Sequence, residues 1–412
     1  MPKDPPWDLI VVGGGAAGFF AAITYAEKAG PGCRVLILEK SPQVLGKVKI
    51  SGGGRCNVTH ACFDPKQLTR YYPRGHKSLI GPFHRWGASD TVDWFCQRGV
   101  LLKTEPDGRM FPVTDDSQTI IDCLTRSASS AGVIVHTSTG VPSVIATETS
   151  DARFQITTEK GKHLLARSLL LATGGTRLAA GAKLAQSLGH PLVPNVPSLF
   201  AFKITDPRIN DLPGISLTHT HISVKGTQLT SDGPLLITHH GLSGPAVLKL
   251  SAWGARELHN QQYHFTLTIN WLPKLDVATI LRETRQSWGK RRVCGRAPFE
   301  SFPKRLWERL CIAAGVEDDG TWSQLDKSTT TRLLTELISG NFQVTGKSLN
   351  KDEFVTCGGV QLSDVQLKTM ESKIQSGLYF AGEILDIDGV TGGFNFQNAW
   401  TTGFLAGTAV ST

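Results

Sequence analysis

Leu9-Ile10-Val11-Val12-Gly13-Gly14-Gly15-Ala16-Ala17-Gly18 is the stretch from which the rest of this 412-residue chain is read. The four apolar residues after Asp8 have the length and character of a buried parallel strand. The Gly13-x-Gly15-x-x-Gly18 spacing then opens a small-residue helix. In that arrangement Gly13 allows a tight turn, Gly15 lets the backbone approach a pyrophosphate, and Gly18 lets the helix lie close on the strand, its first amides facing the phosphates. Such a spacing is common, so its context carries the reading. A second apolar run, Val35-Leu36-Ile37-Leu38, ends in Glu39, 21 residues beyond Gly18, where a carboxylate accepts hydrogen bonds from ribose hydroxyls. The chain therefore begins, near residue 7, with a dinucleotide-binding βαβ unit of an α/β fold.

Outward from that unit, Ser51-Gly52-Gly53-Gly54-Arg55-Cys56-Asn57 supplies a backbone able to lie flat against a ligand, with a guanidinium and a carboxamide expected to point at it. Glu105-Pro106-Asp107-Gly108-Arg109 reads as a turn with Gly108 left-handed, and Phe111-Pro112 after it is expected on a sheet surface. Val133–Val135, Val144-Ile145, Phe154–Ile156 and Leu164-Leu165 read as a small antiparallel sheet, followed by a separate buried strand Leu169-Leu170-Leu171 ending in Gly174-Gly175. Pro191, Pro194 and Pro197 mark a change of pattern. Beyond them Phe200–Ile204, His219–Val224 and Phe265–Ile269 alternate like barrel strands, Gly241–Pro245 reads as a helix start capped by Ser243, and 275–340 is mostly helical. The α/β signal returns at Gly377–Glu383. These readings divide the chain into 1–190, an inserted 191–345, and 346–412.

The composition, 40% hydrophobic and 19% charged, is that of a globular protein. No apolar run approaches a membrane span, and the N-terminus lacks the order of a signal peptide, so a cytoplasmic location is expected. The eight cysteines form no CxxC pair, which excludes the usual zinc and thioredoxin-like motifs. A formal charge of +8 attracts polyanions or anionic substrates.

Glu383, directly after a strand-terminal glycine, stands where an acidic residue meets ribityl or pyrophosphate oxygens in many FAD enzymes. Gly392-Gly393-Phe394-Asn395 then enters the last helix, whose first amides favour negative charge on a reduced flavin. Together SGGGRCNVT, EPDGRMFP, LATGG, THHGLSGPAVL, TCGGV, TMESK and GLYFAGEILDIDGVTGGFNFQNAW resemble the bacterial flavoprotein family of the YhiN, HI0933-like and BaiN proteins, from residue 7 to 407. The resemblance implies a glutathione-reductase-like Rossmann FAD-binding domain with an inserted β-barrel and helical domain. It carries FAD contacts to Gly13, Gly15, Gly18, Glu39, Lys40, Gly53, Gly54, Arg55, Cys56, Val141, Gly382, Glu383, Gly393 and Asn395. Val48 stands where the family has a second lysine, His60 where it has Asn, and the run after Gly175, expected to border the flavin, is shorter.

The activity implied is reduction of an activated C=C bond, in a conjugated small molecule or in a uridine of ribosomal RNA, with neither DNA nor a membrane as partner. A flavin-binding protein that docks to RNA without catalysis is the alternative from another class. No second strand-GxGxxG-helix unit is present, so NAD(P)H as reductant has to dock transiently at the flavin. Cys56, His239 and His240 are the candidate proton donors, each with a plain packing or capping role as its alternative. Between Arg282 and Arg309 nine Lys or Arg face three Glu, with Trp288, Phe299, Phe302 and Trp307 interleaved. Two readings stand for this segment: a single-stranded RNA surface, or a solvated amphipathic face with its tryptophans in the core.

Overall fold

A computed structural model describes residues 5–147, 151–175, 180–348 and 355–411. Residues 176–179, in the run expected beside the flavin, lie outside the described residues. The chain forms two compact units, Met1–Val196 with Val355–Thr412, and Pro197–Phe354.

The first unit is built on a mixed sheet whose parallel core runs, in spatial order, Ile134–His136, Val35–Leu38, Trp7–Val12, His163–Leu171 and Leu378–Phe380. Leu9, Ile10 and Val11 are fully buried at its centre, as near-continuous apolar strands covered on both faces must be. Register aligns the strand ends: Val12 pairs with Leu38 and Leu171, and Leu171 with Phe380. The turns beyond them continue the ladder, with the Gly13 amide donating to the Leu38 carbonyl at 2.9 Å and the Ala172 amide to the Val12 carbonyl at 2.9 Å.

Three local expectations are corrected. Ile134–His136 is a parallel strand beside Val35–Leu38, not a member of the antiparallel sheet. Leu164-Leu165 and Leu169–Leu171 are one nine-residue strand, His163–Leu171, long enough for one part to pair antiparallel with Phe154–Thr157 while the other runs parallel to Trp7–Val12. Phe111 is fully buried, because Arg109–Pro112 is the middle strand of a small sheet between Thr59–His60 and Leu102–Thr104.

Two helices, Ala16–Ala29 and Phe394–Val410, pack against each other almost backbone to backbone. A Cβ on Gly403 or Gly407 would stand under 3.0 Å from the carbonyl oxygens of Ala17 and Ala21 respectively. Phe20 then fills the space among Trp86, Trp94 and Trp400, with ring centroids 4.6–5.5 Å apart.

The second unit is a closed barrel of Phe202–Lys203, Gly241–Ser243, Thr230–Thr238, Ser216–Val224, His264–Asn270 and Gly340–Lys347. Helices Val277–Ser287, Lys304–Ala313 and Lys327–Ser339 share a core with it that includes Trp271, Trp307 and Trp322. Ser243 is a barrel residue and not a cap. The helix Pro245–Trp253 starts instead from Gly244, with Pro245 in its first turn.

Replacing Gly407 by Val forces the two helices of the first unit apart. It is expected to lower stability by about 1–3 kcal/mol, measured as a shift of the urea midpoint at unchanged slope. An unshifted midpoint rules out the close approach.

Candidate functional site

The ends of the parallel strands bring the glycine turn, Glu39, Thr173–Gly175 and Gly382-Glu383 to one edge of the sheet. Gly13 has φ +114°, and a Cβ there would meet the Ala172 carbonyl under 3.0 Å. One on Gly18 would meet the Gly13 carbonyl equally closely. These two glycines are demanded by the protein's own packing. Gly15 differs: its φ of −91° is ordinary, and a Cβ there meets nothing within 4 Å among the described residues. No side chain caps the helix that begins at Ala16, so its amide end opens onto that space.

Glu39 sits beneath the turn, one carboxylate oxygen accepting from the Gly14 amide at 2.7 Å and the other from the Ser41 amide at 2.8 Å. Residues 138 and 139 run alongside, their amides donating to the carbonyls of Ser41 and Glu39, and Val141 is buried just beyond. Lys40 is largely exposed and faces Glu159 at 3.6 Å.

The triple-glycine stretch breaks the Gly46–Gly54 helix: Ser51 is extended, Gly52 and Gly53 are left-handed, and the backbones of Gly53 and Gly54 have open space beside them among the described residues. Two contacts tie this loop to the strand ends. Lys47 forms an ion pair with Glu383, which also accepts from the Thr356 amide at 2.9 Å. The Asn57 carboxamide, with its oxygen and nitrogen assigned from the hydrogen-bond network, accepts from the Gly393 amide at 3.0 Å and donates to the Thr59 carbonyl at 3.0 Å.

The side chains of this stretch therefore differ from expectation. Arg55 lies over Phe111 at 4.0 Å and pairs with Glu105 at 2.6 Å, and Asn57 braces the last helix, so both polar side chains are already engaged within the protein. Cys56, expected as a contact and proton donor, is 0% exposed. Burial pushes its thiol up to about 12. Asn395 closes a reciprocal pair of hydrogen bonds with the Gly389 backbone at 2.8 and 2.9 Å, fixing the loop that leads into the last helix. That helix has Gly393 at its N-cap position and no side-chain cap. Behind it, the wholly buried Asp388 is paired with Arg74, at 2.5 Å from the Arg74 Nε, an anchor that the sequence reading missed.

His239 and His240 belong to the second unit, exposed in the turn between strands Thr230–Thr238 and Gly241–Ser243. His239 lines an open cavity of about 140 Å³ there with Ile204, Asn210 and Asp211. Among the described residues no group of three metal-ligating side chains occurs, and no helix is long and apolar enough to cross a membrane.

An open parallel sheet with a glycine turn, an acid at the second strand end and an uncapped helix N-terminus defines a Rossmann-type FAD-binding fold. The family model described as HI0933-like protein Rossmann domain matches residues 7–409, and the chain belongs to that family. It is 30% identical over 406 residues to the ribosomal RNA dihydrouridine synthase of Escherichia coli (strain K12), covering 96% of each chain. It is 27% identical over 422 residues to the 3-dehydro-bile acid delta(4,6)-reductase of Clostridium scindens, covering 97% of this chain and 98% of the other. Among solved structures, the 3-ketosteroid-delta4-(5alpha)-dehydrogenase of Rhodococcus jostii RHA1 shares the fold with a TM-score of 0.54 at 15% identity, over 100% of this chain and 98% of that one.

The raised thiol fixes a pH effect. Between the ordinary 9.0 and about 12 the unfolded chain loses the Cys56 proton while the folded one keeps it, so this group's contribution falls as pH rises through that window. At pH 8 Cys56 is expected to resist iodoacetamide in the native protein and to react on unfolding, read by peptide mass. Labelling of the native protein there contradicts the burial.

Proposed function

We propose that this protein is an FAD-dependent reductase that adds a hydride and a proton across an activated C=C bond, with NAD(P)H as a transiently docked reductant. The observation that carries the reading is the common ending of Val12, Leu38, Leu171 and Phe380, since ligands of open α/β sheets bind beyond their carboxyl ends. The residues there fit FAD: open space at Gly15, an uncapped helix facing it, and a carboxylate at the second strand end. Bound FAD supplies hydride transfer between donor and acceptor.

The chain's own part is to hold and polarise. The Gly13–Gly18 turn and the helix dipole hold the pyrophosphate. Each Glu39 oxygen keeps a lone pair for the ribose hydroxyls, with Lys40 and Val141 flanking. Gly53, Gly54 and the Arg55 backbone line the flavin side, and Gly382 and Glu383 bind the ribityl region. The amides after Gly393, with Asn395 fixing their loop, favour negative charge on the flavin's N1–C2 edge. His239 and His240 are proposed as proton donors on their imidazole chemistry.

The relatives' names support the C=C reading, because forming a dihydrouridine and reducing a Δ4,6 system both saturate a conjugated double bond. The acceptor is accordingly a conjugated small molecule or a ribosomal RNA uridine.

Gly15→Val is expected to fold, as its Cβ meets no protein atom, and to purify colourless, whereas Gly13→Ala and Gly18→Ala fail earlier, in folding. Circular dichroism and the flavin absorbance separate the two. A folded Gly15→Val protein with full flavin occupancy would falsify the assignment. In H239Q/H240Q, anaerobic flavin bleaching by NAD(P)H is expected to match wild type while turnover with an enone or with unmodified ribosomal RNA drops about 10²-fold or more. Unchanged turnover removes the histidines from the proton's path.

A further inference from the structure

The basic segment of the second unit forms a cleft. A concavity of about 460 Å³ is lined by Trp288, Arg296, Phe299, Phe302 and Lys304, together with Glu300, the one carboxylate on its wall. That volume lies in the range of about 300–1,000 Å³ typical of small-ligand sites. Phe299 is buried and forms the apolar floor, while Trp288 and Phe302 are half-buried and keep part of their rings at the surface.

Of the segment's nine cations, the six between Lys290 and Arg305 divide by what holds them. Arg292 is held by Asp318 at 3.0 Å, and Arg305 reaches the Asp211 carbonyl, so both serve the unit's own structure. Lys304 faces Glu308 at a loose 3.7 Å. Lys290 and Arg296 are exposed with no carboxylate partner among the described residues, and Arg291 lies over the Trp288 ring at 5.1 Å, likewise without one. The helix Lys304–Ala313 also starts at the cleft's lip with no side-chain cap, which adds the positive end of its dipole to the same place. At the lip Ser301 holds φ +57°, a conformation that side chains rarely adopt and that recurs at ligand sites.

We propose that this cleft is a docking site for single-stranded RNA, one base received against Trp288, Phe299 and Phe302 while Lys290, Arg291, Arg296 and Lys304 neutralise the flanking phosphates. Aromatic side chains beside Lys290, Arg291 and Arg296, which have no carboxylate partner among the described residues, suit a strand whose bases are exposed. A duplex turns its bases inward and leaves the aromatic floor unused. The inference assigns a docking place in the second unit to the RNA acceptor already proposed, and rests on the reductase reading only for the chemistry after docking.

The test titrates the full-length flavoprotein into a short labelled oligouridylate across a salt series, by fluorescence anisotropy, with a duplex of the same length as comparison. K290S/R296S is expected to lower the salt slope by about 1.4, two phosphate contacts on a single strand. F302L keeps the apolar volume and removes the ring. It is expected to weaken the single strand about fivefold or more at unchanged slope and to leave the duplex unaffected. Flavin bleaching by NAD(P)H serves as the independent readout and stays at the wild-type rate in both variants. Unchanged affinity and slope in both variants overturns the proposal, as does an equal loss on duplex and single strand, which marks a plain cationic face. If wild-type protein binds RNA as described and NAD(P)H does not bleach its flavin, the reductase reading fails and the docking site stands.

Discussion

The Ala16–Ala29 helix approaches its neighbours so closely that no side chain fits between them, and the first unit depends on that approach. At Gly18 it meets the turn it springs from, and at Ala17 and Ala21 its carbonyls meet Gly403 and Gly407 of the last helix. Close-packed interiors transmit such constraints, since neither helix can shift without opening a void beside Phe20 and Trp400. The first and last helices of the unit are thereby locked together, and with them the two helix N-termini, at Gly15 and Gly393, proposed to face the two ends of one cofactor. The separation of those ends is set by packing that runs from Ala17, beside the first end, to Gly407, in the last turns of the second helix.

The polar groups at the strand ends obey the same geometry. A carboxylate at a strand's carboxyl end has backbone amides of the next turn within reach. Glu39 takes those of Gly14 and Ser41, and Glu383 takes that of Thr356 together with the Lys47 ammonium. These bonds hold each side chain in place before any ligand arrives, which reduces the ordering cost of binding. The loops between are fixed from beneath by buried pairs such as Arg74 with Asp388, so the backbone amides they present are rigid.

What was legible in the sequence is what local spacing decides. Apolar runs of four and a glycine period of two and three mark the strand and turn at Leu9–Gly18 because strand period and turn geometry are properties of neighbouring residues. The alternation of Phe265–Ile269 marks a barrel strand for the same reason. Contacts across long sequence separations left no such trace. Gly403 and Gly407 look only like poor helix formers until the partner helix is present. Arg55 and Asn57 carry ligand-binding chemistry, and only the fold shows Glu105, Phe111 and the Gly393 amide already engaging them. His163–Leu171 was divided because the less apolar Ala166-Arg167-Ser168 interrupts its two leucine runs, at the point where one strand changes partners.

The charge of the chain is distributed by the same logic. A formal excess of +8 spread evenly over a surface acts on solubility and on long-range attraction alone. Here nine cations against three carboxylates fall within 282–309, so most of the excess sits in one segment of the second unit. Concentrating like charge costs self-repulsion, and the unit offsets part of it by pairing Arg292 with Asp318 and placing Arg291 on an aromatic face. Lys290 and Arg296 receive no such compensation from a carboxylate among the described residues. A fold that neutralises some cations of a cluster and leaves adjacent ones to solvent holds a local positive potential there, carried by one segment of one unit and not by the protein as a whole.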